Sequence, residues 1–162
     1  MEIECLIGAS VSSWETLVVM KLKMISGNVR GLNDPQKRLV VKNLLWEWKC
    51  DVVCLQETKI ARMDRQMVCS LWSCLCVDWV ALEVDQTTGG VLIMWDKRAL
   101  EKMEAMVGSF SVLVKWQGVV DGFIWACLGV YGPNDNNERG HVGLVGRYST
   151  ILEDTVVLFW GL

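Results

Sequence analysis

Lys-Leu-Lys-Met-Ile-Ser-Gly-Asn-Val-Arg-Gly-Leu-Asn-Asp-Pro, residues 21–35, is the stretch that decides the fold. It opens as a strand, because Leu22 and Met24 alternate with their neighbours across two faces. It closes as the start of a helix, because Asp34 is a good N-cap residue and Pro35 suits the first helical position, where its missing N–H costs nothing. The stretch therefore predicts a strand, a polar turn and a helix in succession.

The helix continues with a regular apolar spacing, in which Val41, Leu44, Leu45 and Trp48 stand at i, i+3, i+4 and i+7. This spacing is typical of an amphipathic helix that covers a sheet. The next segment, 50–55, is short and rich in valine, as suits a strand that is buried on both faces. The two segments complete a predicted β-α-β unit.

The rest of the chain alternates a weak helical stretch with strand-like segments separated by Gly or charged turns, as is typical of antiparallel neighbours. The helical stretch is 64–72, and the strand-like segments are 77–84, 90–95, 103–116 and 123–131. A β-α-β unit followed by a strand meander favours an α/β sandwich over a doubly wound sheet. Residues 1–20 show neither periodicity nor caps, and we predict a poorly ordered extension there.

Composition predicts one folded domain with a packed core, since 162 residues are 52% hydrophobic and 22% charged. The net charge of −3 gives no overall attraction to nucleic acid, so contacts with DNA depend on local Lys and Arg. No uncharged stretch approaches the roughly 18–20 residues of a membrane helix. Glu2 and Glu4 stand where a signal peptide needs positive charge. We therefore expect an intracellular protein, nuclear or cytoplasmic rather than secreted.

The cysteines indicate reduced thiols without a disulfide partner. There are 7 of them, an odd number at irregular spacing, unlike a secreted disulfide framework. A zinc site is not indicated either, because the chain has no Cys-x-x-Cys and only 1 histidine.

Three polar clusters, 26–31, 56–59 and 130–134, each follow an apolar strand, and strand ends are where α/β folds place their sites. In the first two, the Glu57 carboxylate can hold a hard divalent cation, and the Asn28 amide can supply a neutral oxygen beside it. In the third, a phenol and an amide can hydrogen-bond a phosphate. Each cluster taken alone is equally an ordinary polar loop.

Taken in order, the clusters resemble the endonuclease/exonuclease/phosphatase family, whose first strand ends in an Asn motif and whose second ends in Gln-Glu-x-Lys. The Gly89-Gly90 pair and then a Tyr-x-Pro-Asn motif continue that order. The resemblance runs from about Met20 to Arg139 and is closest to plant non-LTR (LINE-type) retrotransposon endonucleases, through Asn-Val-Arg-Gly-Leu-Asn and Val-Tyr-Gly-Pro. It implies a partial four-layer α/β sandwich of the DNase I-like type, its N-terminal half only, over residues 21–140.

The resemblance also implies roles for four residues in Mg²⁺-dependent hydrolysis of DNA phosphodiesters. Glu57 is the implied metal ligand, and Asn28 is an implied catalytic residue beside the metal and the nucleophile. Tyr131 is implied to stabilise the transition-state phosphate, and Asn134 to bind it. The open alternatives are a phosphomonoesterase of the same fold, and a non-enzymatic relic or binding fragment.

The chain departs from the family pattern after Arg139, since neither Gly-Asp-Phe-Asn nor Ser-Asp-His occurs. We therefore predict that it is catalytically inactive. Codons can be chosen for residues 145–162 so that reading one nucleotide later gives a sequence ending in Phe-Phe-Gly-Asp-Phe. We predict a frameshift between His141 and Val145, with residues 141–162 an out-of-frame tail, and we interpret His141 as an exposed loop residue.

Overall fold

The computed structural model describes residues 22–84 and 89–131 in full, together with the backbone of two further strands near the ends of the chain. Of the described helices, none is long and apolar enough to cross a membrane. The elements in chain order are β1 (Ile3–Ile7), β2 (Lys23–Asn28), α1 (Pro35–Trp48), β3 (Val52–Gln56), α2 (Arg65–Leu71), β4 (Val77–Leu82), β5 (Val91–Asp96), β6 (Leu100–Val107), β7 (Ser111–Gly118), β8 (Ile124–Tyr131) and β9 (Thr155–Gly161).

The strands form two sheets, one of five strands in the order β1-β2-β3-β5-β4 and one of four in the order β6-β7-β8-β9. The pairs β2/β3 and β8/β9 are parallel, and the other pairs are antiparallel. Helix α1 makes the crossover between β2 and β3, as the β-α-β prediction requires. The predicted α/β sandwich is confirmed.

Helix α1 begins where the sequence predicts. The Asp34 carboxylate accepts a hydrogen bond of 2.8 Å from the backbone N–H of Gln36, and Pro35 occupies the first turn. The helix ends at Lys49, which adopts a left-handed conformation with φ 49°. Its side chains Val41 and Leu45 are buried and pack against the first sheet, which fixes the helix there.

The core has two parts, one on each face of the five-stranded sheet, and every residue of β3 is buried, as its sequence predicts. Alternate residues of β3 point to opposite faces, so Val53 and Leu55 pack under the helices while Val52 and Cys54 face the second sheet. The part between the sheets includes three buried tryptophans, Trp95, Trp116 and Trp125. The described residues thus form three layers: helices, sheet and sheet.

The predicted strand-like segment 103–116 is wrong as a single element. The structure divides it into the end of β6 and most of β7, which pair antiparallel. The chain reverses at Gly108, whose N–H donates a hydrogen bond of 2.8 Å to the Ser111 carbonyl. The β6/β7 register also shifts between Lys102 and Glu104, so that β6 bulges at this point. Apolar residues continue on both sides of the reversal, so hydrophobicity alone does not reveal it.

Strands also form inside both terminal segments that the sequence sets apart. Within residues 1–20, the strand Ile3–Ile7 pairs antiparallel with β2, with Ile3 opposite Gly27. Within residues 141–162, the strand Thr155–Gly161 pairs parallel with β8. An apolar run rich in β-branched and aromatic residues favours strand pairing whichever reading frame produces it. The two domain boundaries therefore stay predictions.

Candidate functional site at the strand ends

The ends of β2, β3 and β8 meet at one edge of the sandwich. Asn28 is the register partner of Gln56 across the parallel pair β2/β3. The Gln56 side chain, only 3% exposed, donates a hydrogen bond of 3.4 Å from Nε2 to the Val130 carbonyl on the opposite sheet. Tyr131 follows directly. We call the edge formed by Asn28, Arg30, the 56–59 loop and Tyr131 the strand-end edge.

The loop that carries Glu57 is held by backbone hydrogen bonds on both sides. On one side, the Gly31 N–H donates to the Glu57 carbonyl at 2.7 Å and the Leu32 N–H donates to the Thr58 carbonyl at 2.9 Å. On the other side, the Lys59 N–H donates to the Gly89 carbonyl at 3.0 Å. These bonds extend the sheet past its strands and fix the position of Glu57.

Several non-glycine residues of the strand-end edge adopt left-handed backbone conformations. Arg30, Glu57 and Lys59 have φ of 49°, 54° and 54°. Such a conformation costs roughly 1–2 kcal/mol per residue and persists only where its surroundings enforce it. Part of that enforcement comes from Asn28, whose Oδ1 accepts a hydrogen bond of 3.0 Å from the Arg30 N–H. Concentrated backbone strain of this kind is typical of functional loops.

The Gly89-Gly90 pair makes room for the residues of the strand-end edge. Both glycines have positive φ, 84° and 95°. A Cβ atom at Gly89 would lie 2.9 Å from the ring atom Cε1 of Tyr131, and one at Gly90 would collide with Oγ1 of the buried Thr58. The Tyr131 ring therefore packs flush against the Gly89 backbone, beside the loop of Glu57.

The structure brings Asn28, Glu57 and Tyr131 together at this edge, while Asn134 and His141 lie outside the described residues. The sequence places Gln56 and Thr58 in the polar cluster 56–59 but gives no role to either, and the two residues are 3% and 1% exposed. The sequence does carry a signal for these two residues, because they flank Glu57 and come at the end of an otherwise apolar strand. Their burial gives them a supporting rather than a surface role.

The charges at the strand-end edge suit an anion better than a cation. Arg30 is exposed and Lys59 is half-buried, and both belong to the loops that frame Asn28 and Glu57. The Lys37 ammonium adds a third positive charge nearby, since its Nζ donates to the Arg30 carbonyl at 3.0 Å. Phosphate oxygens are natural partners of such a set of cations and N–H groups.

The metal-ligating groups at this edge are few. Within the fully described part of the chain, no group of three or more His, Cys, Asp or Glu is placed to hold a metal ion. Mg²⁺ is held by one or two carboxylates plus substrate phosphates and keeps several waters. Glu57 supplies one carboxylate, and the Oδ1 of Asn28 already accepts the Arg30 N–H. These donors do not make a complete, preformed Mg²⁺ site.

No protein-family model matches the sequence, and no curated protein matches it. Solved structures do match. An endonuclease/exonuclease/phosphatase family protein of Bacteroides thetaiotaomicron superimposes with a TM-score of 0.65 at 12% identity, over 86% of this chain and 62% of the other. The mannosyl-6-phosphatase of the same organism gives 0.66 at 11%, over 86% and 64%. D. rerio TDP2, complexed with single strand DNA product, gives 0.57 at 19%, over 86% and 58%.

The fold is similar to that of these endonuclease/exonuclease/phosphatase structures. Identities of 11–19% show the fold alone. The chain spans 58–64% of the length of the three structures, which agrees with the prediction of a partial DNase I-like sandwich.

Proposed function

We propose that the chain is part of a Mg²⁺-dependent DNA endonuclease domain of the plant non-LTR retrotransposon type, and that it is itself catalytically inactive. The observation that carries the proposal is the meeting of Asn28, Glu57 and Tyr131 at one edge with a single carboxylate among them. Such an edge can bind a phosphodiester. Within the fully described ranges, it offers fewer acidic groups than hydrolysis by this type of site requires.

Each residue of the strand-end edge has a part in binding the scissile phosphate. The Tyr131 hydroxyl donates to a phosphate oxygen, and Arg30 and Lys59 offset its negative charge. Asn28 holds the turn that presents Arg30. Glu57 would be the residue that holds Mg²⁺, which when bound supplies charge stabilisation to the phosphate. Asn134 is proposed as a further phosphate contact.

The missing step is removal of a proton from the attacking water, for which a carboxylate or imidazole must lie within hydrogen-bond reach. Among the described residues of the strand-end edge, Glu57 is the one acidic side chain, and a carboxylate that holds a metal is a poor base. The fully described residues contain no histidine. On this basis we propose substrate binding without turnover.

The register of β9 supports the proposed frameshift. Gly161 is the register partner of Tyr131 across the parallel pair β8/β9. In the shifted frame, Gly-Asp-Phe occupies positions 160–162 and therefore puts an aspartate at 161, next to the strand end that bears Tyr131. The missing carboxylate would then reach the strand-end edge. The coding nucleotides decide the matter: if the next frame does not read Gly-Asp-Phe at these positions, the frameshift is wrong.

Nicking of supercoiled plasmid in Mg²⁺ tests the inactivity. We expect the native chain and Glu57→Ala to leave the plasmid intact equally, at the level of a protein-free control. Mg²⁺-dependent nicking by the native chain that disappears in Glu57→Ala would contradict the proposal and establish an active nuclease. A parallel assay with p-nitrophenyl phosphate examines the phosphomonoesterase alternative, for which Glu57-dependent release of phosphate is the positive result.

A further inference from the structure

A cavity of about 610 Å³ lies at the end of the sandwich opposite to the strand-end edge. It opens between the last turns of α1, the segment 72–76 that follows α2, and Asp51 and Asp96. Asp51 precedes β3 whereas Gln56 ends it, so the length of β3, roughly 16 Å at about 3.3 Å per residue, separates the two places. The volume lies within the usual range of ligand sites, about 300–1,000 Å³.

An aromatic side chain flanked by two lysines borders this cavity. Lys42, Trp46 and Lys49 all line it. Lys42 and Trp46 stand at i and i+4 on one side of α1, and Lys49 is the left-handed residue that ends the helix. Trp46 is 78% exposed, which is a large apolar surface to leave in water. A flat partner that stacks on the indole would cover this surface.

The charges around the cavity leave a positive excess. Arg98 pairs with Asp96, and its hydrogen bond lowers the pKa of that carboxyl. Asp51 is half-buried and accepts a hydrogen bond of 2.8 Å from the Lys23 N–H. Within the fully described residues, the ammonium groups of Lys42 and Lys49 have no ion-pair or hydrogen-bond partner. Two unpaired cations thus flank the exposed indole, on a chain whose net charge is −3.

We propose that this surface binds single-stranded DNA, with one base stacked on Trp46 and neighbouring phosphates on Lys42 and Lys49. Aromatic stacking platforms between backbone-binding cations are the common feature of sites for single-stranded nucleic acid. Bases inside a duplex are stacked on their neighbours and cannot present a face to the indole, which favours a single strand over a duplex. The apolar walls made by Leu45, Trp72 and Leu75 suit deoxyribose better than a sugar with a 2′-hydroxyl. The binding is independent of any hydrolysis at the strand-end edge.

Fluorescence anisotropy of a labelled oligo-dT, measured on the full chain in EDTA over a range of salt concentrations, tests the proposal. We expect Trp46→Ala to weaken binding at least about fivefold, the effect of losing one base–aromatic stack, and to leave the salt slope unchanged. The double variant Lys42→Gln/Lys49→Gln is expected to flatten that slope by about 1.4, at about 0.7 for each lost phosphate contact. Trp46→Phe keeps a ring and should retain most of the binding.

Two controls separate this surface from general charge and from the strand-end edge. Lys102→Gln removes an exposed lysine from β6 on the other sheet. It should change neither the affinity for oligo-dT nor the salt slope. Arg30→Gln alters the strand-end edge. In this background, Trp46→Ala should weaken DNA binding by the same factor as it does in the native chain. Native-like affinity of Trp46→Ala with an unchanged melting temperature would overturn the proposal. An unchanged salt slope in the lysine variant would also overturn it. So would displacement of the DNA by polyglutamate to the same extent from the native chain and from Trp46→Ala. Binding of oligo-U ten times tighter than that of oligo-dT would overturn the preference for DNA and with it the proposal.

Discussion

Trp116→Ala is expected to lower the free energy of unfolding by about 3–5 kcal/mol, the usual cost of removing a fully buried large aromatic side chain. Trp116 is 0% exposed between the two sheets. Its ring contacts Trp95 edge-on at a centroid distance of 5.4 Å and Trp125 at 4.7 Å. Since domains are stable by only about 5–15 kcal/mol, this one change can unfold the chain at room temperature. Urea denaturation followed by far-ultraviolet circular dichroism measures the loss.

The same substitution at an exposed position is the matched control. Trp46→Ala removes an equal volume from a side chain that is 78% exposed, and we expect a change within about 0.5 kcal/mol. Trp116→Phe should cost less than Trp116→Ala, because a phenyl ring fills much of the space that alanine leaves empty. Among the fully described residues, the indole N–H groups of Trp95, Trp116 and Trp125 are buried without a hydrogen-bond partner. Both substitutions at Trp116 remove one of these unsatisfied groups, so the difference between them reports the volume alone. Equal stability of Trp116→Ala and the native chain would refute the packing described for the inter-sheet core.

Gly90→Ala is expected to destabilise the chain by about 2–5 kcal/mol, for two reasons that add. The φ of 95° is unfavourable for any residue with a Cβ, at roughly 1–2 kcal/mol. The new Cβ would also collide with Oγ1 of Thr58 and lie 3.3 Å from the Lys59 nitrogen, and such overpacking costs about 1–3 kcal/mol. The collision pushes on the loop that positions Glu57. Thermal unfolding, with chemical denaturation to obtain the free energy, measures the total.

Gly122→Ala separates the two causes. Gly122 also has a positive φ, 67°, but a Cβ there would meet only Gln117 Nε2 at 3.6 Å, an ordinary contact. The difference between the two variants therefore isolates the collision with Thr58. Adding Thr58→Ala to Gly90→Ala should recover part of the loss, because the colliding oxygen is gone. Identical losses in Gly90→Ala and Gly122→Ala would show that Thr58 does not press on Gly90.

The sequence predicts the opening of the fold well because its signals there are local. Asp34 and Pro35 specify the start of a helix through their own side chains, and the valine-rich β3 needs only its composition to indicate burial on both faces. Asn28, Glu57 and Tyr131 could be selected as site residues because polar groups end apolar strands. The meeting of Asn28 with the Glu57 loop depends on the parallel pairing of β2 with β3, which the β-α-β pattern already indicates. Tyr131 joins them only because the second sheet packs on the first.

The remaining features depend on contacts that are distant in sequence. Nothing near Gln56 shows that its side chain reaches Val130 on the other sheet, 74 residues later. The left-handed conformation of Glu57 is not encoded by glutamate and arises from the hydrogen bonds that the flanking loops impose. The reversal at Gly108 is hidden because valine and phenylalanine continue the apolar pattern on both sides. Such features follow from tertiary packing, which overrides local preference.

The bulge in β6 bears on how copies of this chain behave at high concentration. β6 is the outermost strand of its sheet, and an unpaired strand edge invites a second molecule to add its own strand there. The shift between Lys102 and Glu104 interrupts the regular row of backbone donors and acceptors, and these charged residues are exposed at the break. A strand from a second molecule would have to desolvate these charged side chains, and it could pair with only part of the backbone donors and acceptors of β6. The irregularity thus acts as a barrier to fibril growth along an edge that bears the exposed Met103, Met106 and Val107.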